Sequence, residues 1–210
     1  MLGKTHMAVG VAAGLAVMHP KNIQELIVGT GTLAVGSVIS DIDIGTSDSH
    51  KDADKIIALA VFACVAVAAV EATMHLGIYQ RLMRNSSLLR IVAGTAAFLL
   101  LCAFGKEQPH RSFMHSIPAL VSLTGCVEII FPLAAPYFAI GFISHLTLDL
   151  CNRRDERLLY PLKWGLSFGV CSSKGLVNRI LFSAGSAVSA IVFAVLLLRI
   201  YDVRQLLHLL

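Results

Sequence analysis

The segment Ser144-His145-Leu146-Thr147-Leu148-Asp149 sets an imidazole and a carboxylate four residues apart. On a helix such a pair shares one face, with Cβ atoms about 5–6 Å apart. That separation lets two side chains ligate one metal ion or bridge two. The plainer reading is a His–Asp hydrogen bond at a helix end. An ionisable pair closing an apolar run is, however, a functional candidate by default.

Three further groups add to it. His110-Arg111-Ser112-Phe113-Met114-His115-Ser116 holds two imidazoles and a guanidinium ahead of an apolar run. Ser116 is a good N-cap and Pro118 suits a first turn. The motif is therefore expected in a loop feeding a helix N-terminus, where backbone N–H groups favour an anion and Arg111 can clamp a phosphate oxygen. Asp41-Ile42-Asp43 is expected as an extended piece, with both carboxylates on one ion or split as ligand and base. His6 is the weakest member, since a lone His is usually incidental. Together His6, Asp41, Asp43, His110, His115, His145 and Asp149 offer imidazole and carboxylate, a donor set for zinc, manganese or iron. Seven groups exceed one tetrahedral site, so one or two metals are expected.

The elements that must position these groups are hydrophobic. The chain has 210 residues, 56% hydrophobic and 14% charged, against about 25% charged in an ordinary soluble domain. Mean hydropathy is +0.76. This composition predicts an integral membrane protein, one domain over residues 1–210, with no linker, repeat or low-complexity tract. The apolar runs fall at 7–18, 23–40, 56–79, 88–105, 117–131, 136–150 and 176–201. Backbone groups in lipid must be satisfied internally, so each run is expected to be a helix. Spanning takes about 20 residues. Runs 56–79 and 176–201 are long enough, 23–40 and 88–105 are just so, and the short runs are expected as partial spans inside the bundle. The predicted fold is thus an all-α, polytopic bundle of about six to seven hydrophobic helices. If the chain reverses at each polar segment, all the candidate ligands fall on one membrane face. Most of the seventeen Lys and Arg residues fall on that side, which points to a cytoplasmic site.

Other features have plainer readings. The net charge of +4 fits loops near anionic lipid, and no basic run interleaved with aromatics supports nucleic-acid binding. The five cysteines form no CxxC and read as apolar packing residues. Met1–Met18 mimics a leader, but Met18-His19-Pro20-Lys21 offers no cleavage site, so the segment is expected to stay. His19 and His208 are incidental, and His50 is a solvated loop residue. Glu71 and His75 form either a hydrogen-bonded pair or a proton relay. Tyr160 and Trp164 are interface anchors.

The ordered set Thr5-His6, Asp41-Ile42-Asp43, His110-Arg111-x-x-x-His115-Ser116, Gly141-x-x-Ser144-His145-x-x-x-Asp149 and Leu158-Leu159-Tyr160-Pro161 resembles the YdjM-like family. Its members are LexA-regulated, inner-membrane-bound, predicted metal-dependent hydrolases of bacteria. The family is distantly similar to zinc-dependent phospholipase C and related nucleases, all-helical enzymes whose clustered zinc ions cleave phosphoesters. The resemblance, rather than composition, implies phosphoester chemistry. The chain departs from the pattern at Ser112, where the family has Gly, in the charged stretch 151–157, and at Asn178, where the family often has Glu.

The reading is a membrane-bound metal-dependent hydrolase acting on a phosphoester, a lipid included. His6, Asp41, His110, His115, His145 and Asp149 are the metal ligands. Activated water is the nucleophile, Asp43 the base, and Arg111 with Ser116 the substrate-binding pair. The expected partners are the lipid bilayer and the substrate. The alternatives are a metal-ion transporter or channel, kept open by Glu71 and His75, and a structural membrane protein with a metal-stabilised fold.

Overall fold

A computed structural model of the chain describes residues 1–43, 58, 62, 65–85, 87–172 and 175–208, and the side chains of these apart from 85 and 203–208. Among them the regular elements are all helices, joined by turns and irregular segments with two isolated β-bridges. His50 and Cys64 lie outside the described residues, as does the His208 side chain.

Helix α1 spans Gly3–Met18 and ends at His19, which turns left-handed at φ 46° just before Pro20. Helix α2, Ile23–Gly36, starts at Asn22, whose side chain accepts from Glu25 N. Glu25 reaches back to accept from Lys21 N, so two orphan helix donors are satisfied. A short 3-10 helix, Ile39–Asp43, follows. Helix α3 is Val65–Met74 and α4 is Ile78–Asn85. Helix α5 is Leu88–Glu107, capped by Ser87. A second 3-10 turn, Phe113–His115, leads to α6, Ile117–Ile130. Helices α7, Ala135–Leu150, and α8, Leu176–His208, complete the chain.

Helix α7 is the hub. It packs on α1, α2 and α6, while α1 also lies along α8 and α5 along α6. Two glycines let α2 and α7 meet backbone to backbone. A Cβ on Gly36 would stand 2.5 Å from Phe138 O, and one on Gly141 would stand 2.6 Å from Leu33 O. Beside this crossing Val38, Ile42, Met114, Leu123, Phe138 and Phe142 form a buried core.

Among the described residues, three helical stretches are long and apolar enough to cross a membrane: Ile23–Asp43, Leu88–Glu107 and Leu176–Asp202. The latter two expose bare apolar groups, such as Leu89, Leu100, Ile191 and Leu198, whereas Ile23–Asp43 is mostly packed inside the bundle. Helix α7, with 16 residues, reaches only about 24 Å at 1.5 Å per residue, short of the roughly 30 Å hydrocarbon core.

The run 56–79 is not one helix. Its described part stops at Met74, and the chain turns through His75 at φ 47° and Gly77 at φ 75°. Both Glu71 carboxylate oxygens accept backbone N–H groups, from Gly77 and Ile78. Glu71 therefore caps α4, an arrangement that hydropathy does not register. Trp164 is exposed, as an interface anchor requires, whereas Tyr160 packs edge-on against Phe113.

Candidate metal centre

Helix α7 delivers His145 and Asp149 to the bundle interior, fully buried and 2% exposed respectively. The His145 ring is held by Nδ1, 2.7 Å from Ser37 O. A carbonyl only accepts, so Nδ1 carries the proton and Nε2 presents a lone pair. Ser37 is fixed in turn, because its hydroxyl donates to Leu33 O.

His115 comes from the 3-10 turn before α6. Its Nδ1 lies 3.3 Å from Asp43 Oδ2, which leaves Nε2 facing the same space. The Nε2 atoms of His115 and His145 are 3.3 Å apart. Asp41 Oδ1 lies 3.7 Å from the first and 3.6 Å from the second. Asp149 Oδ2 lies 3.6 Å and 3.9 Å from them. Bonds of about 2.0–2.1 Å to a tetrahedral zinc give ligand–ligand edges of about 3.4 Å. The four donors of Asp41, His115, His145 and Asp149, all buried, are therefore already spaced as such a shell.

Asp41 and Asp43 serve different partners, because the segment is a 3-10 helix rather than an extended piece. At three residues per turn, positions i and i+2 diverge. Asp41 faces the Nε2 pair. Asp43 stands behind His115, with Oδ1 2.6 Å from His110 Nδ1 and Oδ2 accepting from Arg111 N. The carboxylate thereby orients one ring nitrogen and frees the other. Asp43, His110 and His115 form a second group spaced for a cation, in which His110 is partly exposed.

Arg111 adopts φ 65°, a strained conformation for a side-chain-bearing residue. It is held there from several sides. Nη2 donates to Asp149 Oδ2 at 2.7 Å, Nη1 donates to Arg154 O, and the carbonyl accepts from Arg157 N. Its Nε is buried without a partner among the described residues. The Ser116 hydroxyl is committed to the α6 N-terminus, accepting from Ala119 N and donating to Phe113 O. Ser112 likewise donates to Pro109 O.

His6 of α1 is fully buried and stacks on His145, with centroids 3.9 Å apart and planes 22° apart. Its Nε2 is 3.1 Å from Asp149 Oδ1. The Met1 amino nitrogen lies 2.6 Å from that same oxygen, a positive charge seated against the carboxylates. Asn178 accepts from Leu2 N and so ties α8 to the start of α1.

Burial alone would make the His115 imidazole less basic, but Asp41 and Asp43 hold it up at about 10. With no metal present, a proton is the cation these carboxylates keep. Glu156 is the residue that sequence reasoning missed. It is 0% exposed, and neither carboxylate oxygen has a hydrogen-bond partner among the described residues. Burial pushes it up to about 8, against the pull of the His115 charge. The signal was its place in the charged stretch 151–157, where the chain departs from the family pattern. No spacing tied it to the other ligands.

The structure thus gathers every sequence-derived ligand into one buried cluster, with His110 at its rim. No curated protein and no solved structure matches this chain. The family model described as YdjM inner membrane protein matches residues 1–206. With nearly the whole length covered, the chain belongs to the YdjM inner membrane protein family.

Proposed function

We propose that this protein is a membrane-bound, metal-dependent hydrolase of phosphoesters, with lipid phosphoesters within its range. The observation that carries the reading is the set of distances from 3.3 to 3.9 Å among Asp41, His115, His145 and Asp149. Two imidazole lone pairs and two carboxylates converging in a buried space repel one another without a cation. The mix of nitrogen and oxygen donors favours zinc, with manganese or iron as alternatives.

A divalent ion held there supplies Lewis-acid polarisation of a phosphoryl oxygen and a water of lowered pKa. The chain's own residues do the rest. Asp43 fixes the His115 ring and, with His110 at the exposed rim, forms the route by which a proton leaves. Arg111 stands beside Asp149 with Nε unspent and neutralises charge on a bound phosphate. Ser116 contributes by fixing the α6 N-terminus. The excess of positive residues in the loops on the site's side supports a multi-pass arrangement with a cytoplasmic site.

The transporter reading loses its support, because Glu71 caps α4 instead of pairing with His75. The test is hydrolysis of bis(p-nitrophenyl) phosphate and of phospholipid in mixed micelles by the purified, zinc- or manganese-loaded protein. Metal-dependent turnover abolished in Asp149→Asn, with the fold intact, is the expected result. Bound metal with no turnover on any phosphoester would leave a metal-stabilised structural protein.

A further inference from the structure

A cavity of about 550 Å³ opens between the start of α1 and the first turns of α8. Leu2 and Lys4 line it from one side, and Asn178, Arg179, Phe182 and Ser183 from the other. Helical spacing sets those four α8 positions on one face. The Lys4 ammonium lies 4.7 Å from the Phe182 ring centroid, a cation–π contact that keeps it beside the cavity. No carboxylate lines the cavity, and neither Lys4 nor Arg179 makes an ion pair among the described residues. Two unpaired cations in one concave space draw in an anion whose oxygens both can reach.

Helix α8 indicates which kind of anion. Residues 180–198 carry no charge, and Arg179 and Arg199 close the stretch at its two ends. At about 1.5 Å per residue these arginines stand roughly 30 Å apart, the thickness of a hydrocarbon core. Arg179 therefore sits at the depth of lipid phosphates. The helix faces outward over most of its length, and Leu176, Val177 and Ile180 beside Arg179 are exposed. A soluble phosphate gains nothing from that apolar rim, whereas a phospholipid lays its acyl chains along it.

The cavity also borders the metal centre. Leu2 N donates to Asn178 Oδ1 at 3.3 Å, and a Cβ on Gly3 would stand 3.8 Å from Asp41 Oδ2. The backbone that presents Leu2 and Lys4 to the cavity thus runs past a carboxylate of the centre.

We propose that this cavity seats an anionic glycerophospholipid, its phosphate held by Lys4 and Arg179 and its acyl chains against Phe182 and the outward side of α8. The site gives the proposed hydrolase its substrate class, a lipid phosphoester arriving sideways from the bilayer. It rests on that reading for the fate of the lipid, not for its binding.

The test uses the purified full chain in dodecyl maltoside, with and without zinc. The probes are fluorescent phosphatidylglycerol and its zwitterionic counterpart, fluorescent phosphatidylcholine with the same chains. The wild type is expected to bind phosphatidylglycerol at least about 10-fold more tightly than phosphatidylcholine, and the Lys4→Gln and Arg179→Gln pair to lose at least about 10-fold of that affinity. Ser183→Glu adds a negative charge to the same wall and is expected to weaken binding more than Ser183→Gln, which adds only the bulk. Thermal melts that match the wild type certify the fold of each variant. Equal affinity in the wild type and the charge variants, or equal affinity for the two lipids, overturns the proposal. So does glycerol phosphate displacing the probe at the same concentration as unlabelled phosphatidylglycerol, because the site then reads a free phosphate. Phosphatidylglycerol bound but not hydrolysed by the zinc-loaded protein leaves this site standing and counts against the hydrolase reading alone.

Discussion

The Nε2 atoms of His115 and His145, two fully buried side chains, face each other at 3.3 Å. The two rings arrive from elements 30 residues apart, with the Asp43 carboxylate 3.3 Å behind one and the Ser37 carbonyl hydrogen-bonded behind the other. Such preorganisation is costly to maintain unless something binds between the rings.

Metal content is the direct measure. Wild-type protein purified with zinc is expected to retain metal by elemental mass spectrometry. His145→Ala, or the His145→Ala and Asp149→Ala pair, is expected to lose it, with affinity down by more than about 100-fold, since a ligand matters more than the outer-shell partners whose loss costs about 10–100-fold. Retained stoichiometry in the double variant would place the metal elsewhere.

Affinity for that metal should depend on pH. His115 is kept protonated up to about 10 because Asp41 and Asp43 outweigh its burial. At neutral pH an incoming ion must displace this proton, so affinity rises with pH, by up to about tenfold per unit for one proton released. Calorimetry in buffers of different protonation enthalpy should count that proton. Flat affinity between about pH 6 and 9 would contradict this linkage.

Glu156 gives the metal-free fold its own pH dependence. An ordinary carboxyl titrates near 4.5, and burial pushes this one up to about 8. Between those values the fold keeps a proton that the unfolded chain has released. Its stabilising contribution is therefore complete below 4.5 and is lost as pH rises through 8. Thermal melts of the metal-free protein should show this fall, and Glu156→Gln should flatten it.

The α2–α7 crossing should be intolerant of bulk. Gly141→Ala puts a methyl group 2.6 Å from Leu33 O, and Gly36→Ala puts one 2.5 Å from Phe138 O. Both obstacles are backbone, so the helices must separate, at a cost of about 1–3 kcal/mol. Unfolding by sodium dodecyl sulfate should report the loss. Metal affinity should fall as well, because Ser37 and His145 are aligned across this contact.

Arg111 ties Asp149 to the segment 154–157 through a planar fork that an ammonium cannot reproduce. Arg111→Lys should leave metal binding within about tenfold of wild type. The same change should lower phosphodiester turnover by about 10²–10³. Unchanged turnover would assign Arg111 a purely structural role.

Much of this was legible in the chain itself. Low charge and long apolar runs made it a helical membrane protein, because lipid tolerates only backbones that satisfy themselves. The i, i+4 spacing of His145 and Asp149 set them on one face of a helix, and Ser116 marked the start of α6. Alternation of direction along the apolar runs led to the expectation that His6, Asp41, His115 and Asp149 meet, and their side chains do lie together. Three matters were decided only in three dimensions. Run 56–79 broke where Glu71 capped the next helix, since hydropathy averages over a polar side chain that folds back on its own backbone. Asp41 and Asp43 parted because a 3-10 turn replaced the extended piece, a choice set by the packing of Val38, Ile39 and Ile42 into the core. Glu156 became fully buried on a backbone bridge to Leu166, in a segment that Arg111 holds through Arg154 O. Local periodicity registers repeating elements, whereas a loop residue's burial depends on contacts from segments distant in the chain.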